Sequence, residues 1–256
     1  MKKLKQVLHE LKQKYGIIGI RTDMASEVIS EQEFIIFKQF CGELGLKYFI
    51  KIGGCDALTD IFVAQKAGAD SIICPMIESE YAVQKFLDNC MQIYGSTEHI
   101  NLLINIETIN AYNNLDLILK NENMKYIQGI VLGRDDMTKS ASLSFDDVDS
   151  KEILDIALNI ANKADSYGQK FTVGGGVRPR AKAFLSNFKG LKFVNFETRR
   201  VVFDSGALND TDIVEGIAKA IEFEIKWLEY MAANCLSDKD IIKNRMESLK
   251  SCIQLK

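Results

Sequence analysis

The chain has 256 residues, 47% hydrophobic and 26% charged, and its 32 basic and 35 acidic side chains leave a formal net charge of −3. That is the composition of an ordinary globular protein, and the length suits one large domain. The mild acidity and the lack of any Lys/Arg block exclude nucleic acid and anionic membrane surfaces as partners, and no run of roughly 18 apolar residues suggests a membrane span.

Residues 1–14 space Leu4, Val7, Leu8 and Leu11 helically between Lys, Gln, His and Glu, so they read as an amphipathic helix and not as a secretory leader. Short apolar runs then alternate with helical patterns. Strands are predicted at 17–23, 48–53, 71–76, 101–107, 128–133, 170–174 and 192–197. Helices fit between them at 31–44, 56–67, 80–89, 111–119, 151–167 and 180–188. The first of these opens on a capping box of Ser30 and Glu33, the second stops at Gly68, and the third follows Ser79. Two long amphipathic helices, 212–234 and 239–253, end the chain.

Six cysteines (Cys41, Cys55, Cys74, Cys90, Cys235, Cys252) without C-x-x-C spacing read as reduced thiols of a cytoplasmic protein. Two prolines and no low-complexity stretch leave no linker, so residues 1–256 are expected to form one domain. Within it, 207–256 is a helical extension. Its apolar stripes (Val214, Ile217, Ile221 and Leu228, then Ile242, Met246 and Leu249) imply contact with another copy in a homo-oligomer.

Strict alternation of strand and helix means parallel strands, in a doubly wound sheet or a (β/α)8 barrel. The polar residues decide between them. One parity of 17–23 holds Arg21 and Asp23. Lys51 faces away from Ile50 and Ile52, and the pairs Asn105/Glu107 and Asn195/Glu197 each share a face. A doubly wound sheet would bury those faces under helices, whereas a TIM-type barrel turns them toward a central site at the strands' C-terminal ends. Only seven strands are evident. Either residues 1–14 stand where a first strand would be, or 201–204 supply the eighth.

Glu107 ends a strand in NLLINIETINAYNNLDLI, and Asp136 follows the next strand in IQGIVLGRDDMTKS. Carboxylates at adjacent strand ends converge, and with water and a chelating substrate they would complete an octahedral site for Mg²⁺ or Mn²⁺. The alternative is that Glu107 pairs with Lys51 while Asp135 and Asp136 cap a helix. In VGGGVRPR, Gly174 and Gly175 with Gly176, Arg178 and Arg180 suit a phosphate or carboxylate, or simply a tight loop. In FETRR, Glu197 and Arg199 could reach substrate or form a buried ion pair. Trp227 and Tyr230 read as packing.

The segments KIGGCDALTDIFVAQKAGADSIICPMIES, INIETINAYNNLDLI and GIVLGRDDMTKSASL resemble, in order and spacing, the HpcH/HpaI aldolase and citrate lyase beta-chain family. That family is a metal-dependent branch of the phosphoenolpyruvate/pyruvate barrels. The resemblance spans about Ile17 to Leu143 and implies that Glu107 and Asp136 are the metal ligands. It places Lys51 at the substrate-carboxylate Arg, Glu78 at the Glu of the turn and Asp23 at the acidic end of the family's second strand, so the family's first strand is what this chain lacks. Two departures stand out. Lys at 51 keeps the charge but loses the bidentate fork. The chain's histidines, His9 and His99, lie away from the expected site, so the base falls to Asp23, Glu27, Glu78 or a water.

The resemblance implies a metal-dependent carbon–carbon lyase acting on a small 2-oxo acid or hydroxy-acyl substrate. Lys51, Asp23 and Glu78 would be catalytic, and Arg21, Lys51, Gly174, Gly175 and Glu197 would contact substrate. Two rivals stand beside it: a Schiff-base aldolase using Lys51, and a non-catalytic metabolite-binding barrel.

Overall fold

The computed structural model describes residues 1–27, 29–210, 212–234 and 239–254; Cys235 lies outside them. In chain order the elements are α1 (Lys2–Tyr15), β1 (Ile17–Asp23), α2 (Glu31–Leu44), β2 (Lys47–Lys51), α3 (Leu58–Ala67), β3 (Ser71–Cys74), α4 (Glu80–Tyr94) and β4 (Asn101–Ile106). Then come α5 (Ile109–Asn113), α6 (Leu115–Lys120), β5 (Gly129–Gly133), α7 (Arg134–Ser140), α8 (Lys151–Ser166), β6 (Lys170–Gly174), α9 (Lys182–Leu185), β7 (Phe193–Glu197) and β8 (Val201–Asp204). The long helices α10 (Ile213–Ala233) and α11 (Lys239–Gln254) follow.

The eight strands close into a barrel in chain order. β1 to β7 run parallel, and β8 runs antiparallel to both β7 and β1. The reason is the connection. Parallel neighbours need a crossover of a dozen or more residues, and only residues 198–200 separate β7 from β8, so the chain must turn back. The Thr198 N–H donates to the Val201 carbonyl at 2.9 Å, and the Arg21 N–H donates to the Arg200 carbonyl at 2.9 Å on the other flank. The eighth strand is thus the 201–204 segment. Helix α1 takes no place in the barrel wall and packs outside it against α10, so closely that a Cβ on Gly216 would lie 2.7 Å from the Tyr15 ring.

Inward positions are layered. Toward the strands' N-terminal ends, Phe49, Ile73, Val131 and Val202 form an apolar cluster separate from the larger core under the helices. Gly19 makes room for it, since a Cβ there would lie 2.5 Å from the Phe49 ring. This plug closes the barrel's floor, and burying its phenyl ring contributes about 1.5–3 kcal/mol. Above it the inward residues are charged, so the polar parity read from the sequence does face the barrel's centre.

Local differences from the sequence reading have local causes. β3 stops before Pro75, and Met76 adopts φ 53°. Helix α4 continues past residue 89 because Cys90 prolongs its buried stripe, and it ends on left-handed Gly95. The helix expected over 111–119 breaks at Asn114, and that over 180–188 is mostly 3-10 turns around α9. The capping box at Ser30 is half made. Ser30 Oγ accepts the Glu33 N–H at 3.3 Å, but the Glu33 carboxylate turns inward to Arg200 and Trp227.

The largest difference concerns the C-terminal extension. Ile217, Ile221 and Leu228 of α10 are buried against the barrel, and Ile242 and Leu249 of α11 are buried as well. Most of the apolar stripes assigned to a subunit contact are thus covered within the chain, while Val214 and Met246 of the same stripes are half-buried. Among the described residues no helix is long and apolar enough to cross a membrane.

Candidate active site

A cavity of about 430 Å³ opens at the C-terminal ends of the parallel strands. Arg21 and Asp23 of β1, Lys51 of β2, Asn105 of β4, Glu107 just after it, and Glu197 of β7 line its floor. All six side chains are buried. Arg21 sits between two carboxylates, with Nη2 3.0 Å from Asp23 Oδ2 and Nη1 3.1 Å from Glu197 Oε1. Lys51 Nζ lies 3.3 Å from Glu107 Oε2, which also accepts a bond from Asn105 Nδ2 at 2.7 Å. The other oxygen of Glu107 accepts the Met76 N–H at 3.0 Å. The pair with Lys51 that the sequence left as an alternative is therefore present, within the same cavity that holds Asp136.

Two glycines admit two of these carboxylates. A Cβ at Gly133 would lie 2.2 Å from Glu107 Oε2, and one at Gly174 would lie 2.9 Å from Glu197 Oε1. Gly174 and Gly175 do line the cavity, yet their carbonyls accept bonds from Arg134 Nε at 3.4 and 3.0 Å. A Cβ at left-handed Gly175 would lie 2.6 Å from the backbone nitrogens of Arg134 and Asp135. The glycine run serves close packing of two loops as well as the cavity wall.

Asp136 lines the cavity from the first turn of α7, with Oδ1 3.4 Å from Lys139 Nζ. Glu78 does not reach it. Its carboxylate accepts bonds from Thr108 Oγ1 and, at 2.9 Å, from Asn110 Nδ2, and it braces the turn after β4. His9 and His99 are both exposed and line no part of the cavity. Glu27 binds Arg199 and Arg200 through one oxygen each. Glu197 and Arg199 both line the cavity but pair with different residues, Glu197 with Arg21 and Arg199 with Glu27, so the ion pair read in FETRR is replaced by two others. Trp227 is fully buried on Phe37, ring centroids 4.4 Å apart, as packing requires. Arg245 of α11 reaches the cavity and holds buried Glu224 of α10 through bonds of 3.0 and 2.9 Å. Nothing in the sequence marks that arginine, because its partner is 21 residues away on another helix.

The carboxylates differ in proton affinity. Burial raises that of Asp23, but Arg21, Lys51 and Arg199 outweigh it and bring its pKa from 3.8 to about 2. For Glu197 burial wins over Arg21 and Lys51, and its pKa is raised. A depressed carboxylate stabilises the fold above its unfolded pKa and loses that contribution as pH falls through the folded one. Asp23 should therefore contribute about 2 kcal/mol at neutral pH and lose it between about pH 4 and pH 2. Urea unfolding of the wild type and Asp23→Asn at pH 6 and pH 2.5 checks this: the gap should be wide at the first pH and shrink to about a third at the second.

Among the described residues no three His, Cys, Asp or Glu side chains gather as a ready-made metal cluster. The chain itself offers Glu107 and Asp136, all-oxygen donors suited to a hard divalent cation that keeps water and substrate in its shell. Asn105 Oδ1 and Asp135 Oδ1, on residues lining the same cavity, are buried acceptors without a partner among the described residues. The donor set fits such a cation.

A closed barrel with charged side chains gathered at the strands' C-terminal ends defines a TIM-type barrel with an active-site-like cavity. Residues 46–171 match the HpcH/HpaI aldolase/citrate lyase family, and the chain resembles that family in fold throughout. An HpcH/HpaI aldolase from Desulfitobacterium hafniense DCB-2 superposes with a TM-score of 0.63 at 10% identity, covering 91% of this chain and 89% of the other. Macrophomate synthase gives a TM-score of 0.58 at 16% identity over 91% and 82% of the two chains. The citrate synthase SbnG gives 0.56 at 15% identity over 78% and 91%. Comparison with curated protein sequences finds no match. At these identities the superpositions establish the fold alone.

Proposed function

We propose that this barrel is a carbon–carbon lyase acting beside the carbonyl of a small 2-oxo acid, with Mg²⁺ or Mn²⁺ held by Glu107 and Asp136. The observation that carries the reading is that Glu107, Asp136, Lys51 and Asn105 line one cavity, all four inside the segment that matches the aldolase/lyase family. When bound, the cation supplies Lewis-acid stabilisation of the negative charge that develops on the substrate's carbonyl oxygen.

The chain's own residues account for binding and proton movement. The Lys51 ammonium neutralises the substrate carboxylate, and Asn105 offers an acceptor to a substrate hydroxyl. Asp23, with a pKa of about 2, is too weak a base near neutral pH. Glu197, raised by burial and facing the same cavity, is the better proton carrier. It takes the proton of the substrate's hydroxyl as the adjacent carbon–carbon bond breaks, the electron pair of that bond remains on the enolate fragment, and the proton returns to that carbon. The apolar plug beneath keeps water from reaching the enolate from the barrel's floor.

Pyruvate in D₂O tests this. Methyl-proton exchange followed by NMR should require Mg²⁺ or Mn²⁺, stop with EDTA and fall at least about 100-fold in Glu197→Gln, the size expected for a lost general base. Calorimetry should show Mn²⁺ affinity lost in both Glu107→Gln and Asp136→Asn. Unchanged metal affinity in both, or exchange that survives EDTA, would overturn the reading.

A further inference from the structure

Among the described residues, two that are not glycine adopt a left-handed backbone, Ser142 with φ 60° and Met76 with φ 53°. Ser142 follows α7, and its N–H donates to the Lys139 carbonyl at 2.9 Å, a common way for a helix to end. Met76 ends no helix. It lies between Pro75, just past β3, and Ile77, which is fully buried and donates its N–H to the Asn105 carbonyl at 3.3 Å. A left-handed turn crowds Cβ against the following carbonyl, so a residue with a side chain takes it only where the surroundings impose it. Packing of its own side chain does not impose it here, because Met76 is 48% exposed at the cavity wall.

What the turn achieves is the direction of one N–H. The Met76 amide donates inward to Glu107 Oε1 at 3.0 Å, and that oxygen accepts no other bond among the described residues. The second oxygen, Oε2, takes Asn105 Nδ2 at 2.7 Å and Lys51 Nζ at 3.3 Å. The two oxygens are thus divided, one tied to the main chain and the other turned toward the polar side chains of the cavity. A side-chain donor can rotate away from its acceptor, whereas a main-chain N–H goes only where the turn sends it.

We infer that Met76 is a positioning residue of the cation site: its strained turn holds a main-chain N–H on Glu107 Oε1 and so fixes the orientation of that carboxylate before any cation arrives. This rests on the reading of Glu107 as a metal ligand and deepens it. The residue type at 76 follows from the same demand. An unbranched side chain tolerates the left-handed turn far better than a β-branched one, and the β-branched neighbour Ile77 is kept out of it.

Calorimetry with Mn²⁺ alone, on the full chain, tests this with three variants. Replacing the Pro75–Met76 amide by an ester, through the α-hydroxy analogue of methionine, removes the N–H and keeps the side chain. Groups that orient a metal ligand typically change affinity about 10- to 100-fold when lost, so Mn²⁺ should bind this protein at least about tenfold more weakly. Met76→Val should weaken binding comparably, since the branched side chain forces the turn out of the left-handed region. Met76→Gly keeps the N–H and takes a positive φ without strain, and it should rescue affinity to within about threefold of the wild type. An ester protein that binds Mn²⁺ within about threefold of the wild type overturns the inference and leaves the metal reading standing. A Met76→Gly protein as weak as Met76→Val also overturns it, because the side chain and not the amide would then be responsible. Should Met76→Val fail to fold, the ester and glycine variants decide. A wild type that takes up no Mn²⁺ sinks the metal reading itself, and the inference with it.

Discussion

Replacing Arg200 by methionine should cost the fold about 3–5 kcal/mol at neutral pH, because it strands carboxylates that are already out of water. Arg200 sits in the three-residue turn between β7 and β8 and is almost completely buried. It donates through Nη1 to Glu33 Oε1 at 2.9 Å and through Nη2 to Glu27. Glu33 is itself buried, and its second oxygen accepts the Trp227 Nε1–H at 3.3 Å. Burial already raises the Glu33 pKa with the arginine in place. Without that partner the carboxyl will prefer its proton. A group whose folded pKa lies above its unfolded one gains stability as pH falls, so the deficit of Arg200→Met should shrink between about pH 7 and pH 5. Adding Glu33→Gln should recover part of it at pH 7. Urea midpoints at the two pH values measure both effects, and a deficit below about 1 kcal/mol at pH 7 would show that the network is not what closes this side of the barrel.

The second large effect concerns Lys51. An ammonium 3.3 Å from Glu107 Oε2 competes with a cation for that carboxylate and awaits a substrate carboxylate. Lys51→Met should therefore move two affinities in opposite directions: Mn²⁺ should bind tighter without substrate, and pyruvate should bind at least about tenfold more weakly. Lys51→Arg should keep most of the exchange activity, since the charge is retained and a guanidinium can grip a carboxylate at two points. A Schiff-base enzyme would behave otherwise. Arginine cannot attack a carbonyl, so that variant would be inert, and borohydride with pyruvate would leave an adduct on Lys51 of the wild type. An inert Lys51→Arg that still binds metal and pyruvate would therefore favour the imine.

Much of the barrel was legible because two periodicities are local. The bounds of β1, β6 and α2 follow from their apolar spacing, and the inward parity of Arg21, Lys51, Asn105 and Glu107 follows from the pleat. Direction is not local. Val201–Asp204 is short, and its spacing is the same whichever way it runs. Only the length of the preceding turn reverses it, and that length matters once β7 is known to end at Glu197. Glu33 misled for a related reason: at the third helical position it fits a cap, and nothing nearby in sequence announces Arg200 or Trp227. Glu78 was drawn in by its place in a turn motif, whereas Thr108 and Asn110, some 30 residues on, decide where its carboxylate goes.

The backward course of β8 has a consequence for the end of the chain. In an all-parallel barrel a final helix descends toward the base and ends far from the chemistry. Here one reversed strand shifts the parity: β8 carries the chain down beside Gly16, α10 sets out next to Tyr15, and by Ile221 and Glu224 it has climbed to the cavity. Arg245, Ser248, Leu249 and Cys252 of α11 are thereby delivered to the mouth. Sequence drift in this last helix is drift in the entrance itself, so substitutions there will register as altered ligand access, while those at the start of α10 will register as altered packing.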